Sequence, residues 1–228
     1  IKRLQIELSV AVAKTKFAKA ADAAIRTFLD FIDPRPQGTA AYNAAQENRP
    51  DAVRLLHEMR ADLDKPNTDY GATPAIIAAQ NGHTAMMQLL YDLGADVHRA
   101  RPDGQRPIHS AANGGQDKTV LLLLSLRAST DAQDHEGRTP CWAAAFNGQA
   151  KVVRLLIRHR ASPDLASLGA TPLWIAAQEN KPECIAVLAA AKASLEGAKA
   201  SSPIGKAAQT GADECVRLLA YLGSRLIE

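Results

Sequence analysis

The sequence is poor in aromatic residues and cysteines, and it contains no apolar run long enough to span a bilayer. Because only 4% of its 228 residues are aromatic, we expect a core of Ala, Leu, Ile and Val, as in close helix-on-helix packing. Its three cysteines are scattered and include no C-x-x-C pair, which argues against a disulfide framework and a zinc site. The chain also lacks an N-x-S/T sequon. These absences favour a reducing, intracellular compartment.

The net charge of +3 is concentrated at one end of the chain. Residues 1–36 carry seven basic and four acidic side chains, so residues 37–228 are neutral in sum. A nucleic-acid-binding domain normally carries a basic face on its folded body. The charge distribution therefore predicts no nucleic-acid partner.

One short sequence motif recurs along the chain. Three copies are the clearest: GATPAIIAAQNGH (Gly71–His83), GRTPCWAAAFNGQ (Gly137–Gln149) and GATPLWIAAQENK (Gly169–Lys181). Between Pro74 and Pro203 its proline recurs at intervals of 33, 33, 32 and 31 residues, and a pair of alanines follows each proline. With a degenerate first copy, six copies fill residues 38–228. A fixed period of this length is typical of repeat proteins.

Each copy predicts two short helices. Thr-Pro opens the first helix, because proline suits the first helical position and threonine caps the free N–H groups. A Gly or Asn then ends that helix, at Asn48, Gly82, Gly115, Gly148, Asn180 and Gly211. A second helix follows with apolar residues at helical spacing, such as Val53, Leu55 and Leu56 in the first copy. Neither helix is long enough to be stable alone, so the copies are predicted to stack into an all-α solenoid.

These copies resemble the ankyrin repeat family. The segment GATPAIIAAQNGHTAMMQLLYDLGADVH (Gly71–His98) and its relatives match the family pattern G-x-T-P-L-H-x-A-A-x-x-G-H … L-L-x-x-G-A-D-V-N. The resemblance implies L-shaped helix pairs with projecting hairpin loops, and protein partners bound on the concave side that the loops and first helices form. The family's histidine after Thr-Pro-Leu survives only as His109, so we expect incomplete hydrogen bonding between repeats. The other copies have Tyr42, Ile76, Trp142, Trp174 and Gly205 at that position.

The repeats define the predicted domain organisation. An N-terminal helical extension is assigned to residues 1–36 and an ankyrin repeat domain to residues 37–228. The six repeats are assigned to residues 37–67, 68–100, 101–133, 134–165, 166–196 and 197–228.

The extension itself has two interpretations. From Val10 onward its apolar residues recur at helical spacing, whereas residues 4–12 also alternate as in a strand. It could be a cap laid over the first repeat, since the open end of a solenoid needs covering. It could instead be a docking helix for a partner or a membrane surface, because it holds the whole net charge.

No pattern in the sequence predicts chemistry. Cys184 and Cys215 occupy the same position in neighbouring repeats, and Cys141 stands where the family has leucine, so core packing is expected for all three. The six histidines have no metal-ligand spacing, and no catalytic triad has positional support. We therefore predict no catalytic residues, no cofactor and no metal.

Recognition is instead assigned to the loop tips and to the free positions after each alanine pair, because stacking does not constrain them. The predicted partner-binding residues are Asp69, Tyr70, Gln80, Asn81, Asp103, Gln105, Asn113, His135, Glu136, Arg138, Phe146, Asn147, Leu168, Gln178 and Glu179. Phe146 is an aromatic residue where the other copies have polar ones. Its ring could contact a partner, or it could tuck against Trp142 or Trp174.

The function predicted from these features is non-catalytic protein binding by a scaffold. Two alternatives remain open. One is an accessory subunit of a large, possibly organellar, assembly that is anchored by the N-terminal helix, as the start at Ile1 suggests. The other is a regulatory fragment of a larger enzyme.

Overall fold

The computed structural model of the chain describes residues 39–196 and 202–224. Within these residues the chain forms twelve α-helices, and the predicted extension at residues 1–36 lies outside them. The helices are α1 (Ala40–Gln46), α2 (Pro50–Glu58), α3 (Pro74–Asn81), α4 (Thr84–Asp92), α5 (Pro107–Asn113), α6 (Asp117–Ser125), α7 (Pro140–Phe146), α8 (Ala150–Arg158), α9 (Pro172–Gln178), α10 (Pro182–Ala190), α11 (Pro203–Thr210) and α12 (Asp213–Ser224). Six helix pairs stack in one direction, which confirms the all-α solenoid.

The first helix of each pair, here called the inner helix, begins with a hydroxyl cap in five of the six repeats. The capping residues are Thr39, Thr73, Thr139, Thr171 and Ser202, whose side-chain oxygens accept a backbone N–H three residues later at 3.1–3.3 Å. The hydroxyl satisfies a donor that the helix itself leaves unpaired. The predicted Thr-Pro starts are therefore confirmed.

The residue predicted to end each inner helix lies in the left-handed region in all six repeats. The φ angles are 53° at Asn48, 73° at Gly82, 71° at Gly115, 75° at Gly148, 54° at Asn180 and 71° at Gly211. Glycine and asparagine tolerate this conformation best, which is why these two residue types recur there.

The inner helices pack against one another through their alanine pairs. The paired alanines Ala78, Ala79, Ala111, Ala112, Ala144, Ala145, Ala176 and Ala177 are 0% exposed. Each inner helix contacts the next inner helix along the whole series from α1 to α11. Since a methyl group is all that separates the backbones, a larger side chain at these positions would force the helices apart.

The second helix of each pair, here called the outer helix, covers the opposite side of this layer. Its buried flank holds residues such as Met86, Leu90 and Leu156. Val53 and Leu56 of α2 are buried, whereas Leu55 is 56% exposed.

The three cysteines belong to this core, as predicted. All three are free thiols with 0% exposure. Burial raises the pKa of Cys141 and of Cys184 to about 12. A thiol held in its neutral form is a poor nucleophile and a poor metal ligand, so packing explains these residues.

Carboxylates in the loops tie successive repeats together. Asp64 accepts the backbone N–H of Asp96 at 2.9 Å, and Asp131 and Asp164 accept those of Ser162 and Ser194 at the same distance. In each case the same loop position of one repeat accepts from the same loop position of the next. The loops therefore repeat in register with the helices.

The caps lead to a first prediction. Replacing Thr171 with Ala should lower the free energy of unfolding by about 1 kcal/mol, because the N–H of Trp174 loses its acceptor beside a buried side chain. Urea denaturation followed by circular dichroism measures the change. Thr171→Ser keeps the hydroxyl and should retain most of the stability, so equal losses in the two variants would contradict the capping role.

Candidate protein-binding surface

Four loops that precede inner helices are closed by backbone hydrogen bonds. The closing bonds run from Asn67 to Ala72, Arg101 to Gln105, Asp134 to Arg138 and Ser167 to Ala170, at 2.8–3.1 Å between N and O. We call the enclosed segments the tip loops: residues 68–71, 102–104, 135–137 and 168–169. The first tip loop has four residues, the second and third have three each, and the fourth has two. The last has φ values of 47° at Leu168 and 78° at Gly169, as a two-residue hairpin turn with two left-handed residues requires.

Neighbouring tip loops are bonded to each other. The N–H of His135 donates to the carbonyl oxygen of Asp103 at 3.0 Å, and the Ser167 hydroxyl donates to that of Glu136 at 2.7 Å. A Cβ atom on Gly104 would lie 2.7 Å from the His135 nitrogen, so only glycine permits this approach. The second, third and fourth tip loops therefore form a connected row.

Two predicted contact residues in this row are engaged within their own loops. The Asp103 carboxylate pairs with Arg101 at 2.5 Å and accepts the Gln105 N–H at 3.0 Å. Arg138 pairs with the buried Asp134 at 2.6 Å and with Glu136 at 3.2 Å. Burial raises the pKa of Asp103, but the hydrogen bonds outweigh it and hold the pKa below its ordinary value. Asp103, Gln105 and Arg138 are half-buried and shape the loops.

The other predicted tip residues are exposed. Tyr70 is 72% exposed and Leu168 is 76% exposed, and Asp69, His135 and Glu136 are exposed around them. Two large apolar side chains are thus held in solvent by tightly bonded loops. Such residues are candidates for contacts with another protein.

The predicted residues after the alanine pairs lie at the ends of the inner helices. Gln80, Asn81, Asn113 and Asn147 are exposed there, and the Asn147 amide donates to the Asn113 side-chain oxygen across two repeats. Gln178 and Glu179 are half-buried and bond to each other at 2.8 Å. The side-chain amides of Asn81 and Asn147 thus each bond to the preceding repeat.

Phe146 combines the two alternatives predicted for it. Its ring stacks on that of Trp142, with 5.5 Å between centroids and 12° between planes, yet the residue remains 37% exposed. The Trp142 indole nitrogen is buried and has no hydrogen-bond partner within the described structure. The pair is therefore a rigid, partly exposed aromatic surface.

Comparison with known proteins gives a direct match to this architecture. The family described as ankyrin repeats (3 copies) matches residues 9–101, 39–134 and 94–167. These segments cover more than half of the chain. The chain belongs to the ankyrin repeat family.

Several ankyrin repeat proteins resemble parts of the chain. Ankyrin repeat and SOCS box protein 6 of Homo sapiens is 33% identical over 97 residues, which are 41% of this chain and 23% of that protein. Glycerophosphocholine phosphodiesterase GDE1 of Candida albicans is 37% identical over 80 residues, 35% of this chain and 7% of that protein. The chain thus covers less than a quarter of the length of these relatives.

A solved structure shares the fold. The human ASB11 ankyrin repeat domain matches 82% of this chain and 84% of that chain, with a TM-score of 0.73 and 24% sequence identity. Ankyrin repeats are generally protein–protein interaction modules, and the fold is generally non-catalytic. Within the described residues, no group of three His, Cys, Asp or Glu side chains could hold a metal ion. Nor does any described helix combine the length and apolar character of a membrane span.

Three aromatic residues at the ankyrin histidine position, Tyr42, Trp142 and Trp174, were not predicted as contact residues. Burial raises the pKa of Tyr42, and the carboxylate of Asp69 in the first tip loop raises it further. Trp174 lies under the Lys206 ammonium, 5.4 Å from the ring centroid. In the sequence, the replacement of the family's histidine by an aromatic residue was the signal that could have identified them.

The one retained histidine anchors a tip loop. The His109 side chain is buried, and its Nε2 donates to the carbonyl oxygens of Ala132 at 2.9 Å and Arg138 at 3.1 Å. Its Nδ1 accepts the backbone N–H of Arg106 at 3.1 Å. With one nitrogen donating and the other accepting, the ring is neutral. Burial lowers the pKa of His109, and the hydrogen bonds to carbonyls only partly oppose this.

This arrangement predicts a pH-dependent stability. Because the pKa of His109 is lower in the folded chain, the unfolded chain binds the proton first as the pH falls below about 6.5. The stabilisation by His109 is complete above that pH and is lost on acidification. The stability difference between the natural chain and His109→Leu should therefore shrink from about pH 7.5 to about pH 5, as measured by urea denaturation. The difference for Thr171→Ala should stay constant; parallel pH profiles for all three chains would contradict the assignment.

Proposed function

We propose that this ankyrin repeat chain is a non-catalytic protein-binding module. Its binding surface consists of the tip loops and the exposed ends of the inner helices, on the concave side of the stack. The main support is the pair of large apolar side chains at the tips together with the partly exposed Trp142–Phe146 stack. Tyr70 and Leu168 lie outside the hydrophobic core, whereas Trp142 packs against it and carries the Phe146 ring.

The composition of this surface suits a protein partner. Aromatic side chains that are already fixed lose little conformational entropy on binding, so their burial yields more affinity. The stack between Trp142 and Phe146 holds one such group, and backbone hydrogen bonds close the loops that carry Tyr70 and Leu168. The exposed amides of Asn81, Asn113 and Asn147 and neighbouring polar tips supply a hydrogen-bonding rim.

A second candidate function is that of a regulatory region within a larger protein. The similarity to GDE1, a phosphodiesterase of which the match covers 7%, favours it, as do relatives whose names combine ankyrin repeats with a SOCS box or a KH domain. Membership of a large assembly is a third possibility that the same surface would serve. In each case the repeats would contribute binding rather than catalysis.

The proposal includes a cellular setting. An intracellular, reducing compartment fits three buried cysteines that form no disulfide. A protein is the proposed partner rather than a nucleic acid, because residues 37–228 are neutral in sum.

A double substitution tests the proposed surface. Tyr70→Ala with Phe146→Ala removes two exposed aromatic groups, so partner capture should fall roughly tenfold or more. Quantitative mass spectrometry of proteins retained from a native extract measures capture, and circular dichroism verifies folding. The matched control is Tyr91→Ala, which removes a tyrosine that is 46% exposed on the outer helix α4.

The outcomes separate the candidate functions. A binding module loses its partner in the double variant and keeps it in the control. If the double variant retains its partners fully while folded, the proposed surface is wrong. Size-exclusion chromatography of the extract distinguishes a permanent subunit, which elutes only in the large assembly, from a module that also elutes as a free chain.

A further inference from the structure

A cavity of about 320 Å³ lies apart from the fifteen predicted contact residues. It opens between the loop after α4, the start of α5 and the loop after α6. Its polar lining consists of His98, Arg106, Arg127, Ser129 and Gln133, and none of its described lining residues carries a carboxylate. Two arginines from different loops thus line one cleft.

Arg106 departs from the pattern of the repeats. It occupies the cap position that holds Thr or Ser in the other five repeats, and a guanidinium has no acceptor with which to cap a helix. Its Nη1 instead donates to the His98 carbonyl oxygen at 3.2 Å, beside the cavity. The third repeat therefore forgoes a stabilising cap and gains a cation at this cleft.

Arg127 also occupies an unfavourable position. Its φ is 69°, in the left-handed region, where the preceding repeat has Gly94 at 84°. Arg60, Arg160 and Lys192 share this conformation in other repeats, so strain alone does not distinguish Arg127. What distinguishes it is that a second arginine, Arg106, lines the same cavity.

No ion pair within the described residues engages the two arginines of the cleft, Arg106 and Arg127. The observed pairs involve Arg49, Arg101 and Arg138. The carboxylates nearby in the chain are engaged with backbone. Asp96 accepts the His98 N–H at 2.9 Å, and Asp131 accepts the Ser162 N–H of the next repeat.

We propose that this cleft is an oxyanion-binding site for a phosphoryl group. Guanidinium groups bind phosphate through paired, charge-assisted hydrogen bonds, and two of them can serve more than one of its oxygens. The Ser129 hydroxyl and the Gln133 amide are further donors in the lining. The site does not depend on the concave surface, so its test is independent of the proposed function.

The test uses two variants in which an arginine is replaced by the residue that another repeat has at the same position. Arg106→Thr recreates the cap, and Arg127→Gly recreates the glycine at a left-handed position, so both chains should fold at least as stably as the natural one. Inorganic phosphate is titrated against chloride at equal ionic strength, and the arginine side-chain NMR signals are followed. Phosphate should shift the signals of Arg106 and Arg127, and either substitution should weaken binding about tenfold or more.

The matched control is Arg160→Gly. Arg160 has a φ of 67° at the equivalent position of the next repeat, where the cap residue is Thr139 instead of arginine. This variant removes the same charge and the same strain but should leave phosphate binding unchanged. Equal weakening by Arg160→Gly and Arg127→Gly would overturn the site in favour of a general electrostatic effect.

A second pair of probes identifies the source of the phosphoryl group. Phosphoserine that binds clearly more tightly than inorganic phosphate, with serine inactive, supports a phosphorylated side chain of a protein. Equal binding of the two supports a free phosphate. If neither probe shifts the arginine signals at millimolar concentration, or if Arg106→Thr binds phosphate as the natural chain does, the proposal is overturned.

Discussion

The structure depends on the close approach of neighbouring inner helices across paired alanines. A helix of seven to nine residues cannot persist alone in water, so each pair is stable only through contact with the next. Alanine lets the helix backbones come near enough for dispersion contacts along their whole length. The buried alanines, with 0% exposure at positions such as Ala111 and Ala144, are thus the constraint to which every other feature conforms.

This constraint divides each repeat into positions that stack and positions that are free. Thr73 and Gly82 begin and end an inner helix, and His109 fixes a loop to the helix beside it. The residues between these fixed points, at the tips and helix ends, contribute little to cohesion. They can therefore differ from repeat to repeat, as Tyr70, Glu136 and Leu168 do, without changing the fold.

The fold could be predicted from the sequence because its determinants are local and periodic. Thr171 caps the start of its helix, and Asn180 ends it through a left-handed backbone conformation. Both act on neighbouring backbone groups, so the structure of one copy of the motif predicts that of the next. The binding surface was predicted only as a set of positions that stacking does not constrain. The Trp142–Phe146 stack and the internal pairing of Arg138 depend on rotamers, and the convergence of Arg106 with Arg127 depends on two separate loops. Distances of that kind follow from packing, which no periodic pattern encodes.

The bonds between tip loops have a mechanical consequence. Because His135 is tied to Asp103 and Ser167 to Glu136, three successive tips cannot move independently without breaking a hydrogen bond. A force applied at one of these tips is shared by the adjoining two. This edge of the molecule is therefore stiff, and a partner that binds it must match its existing shape.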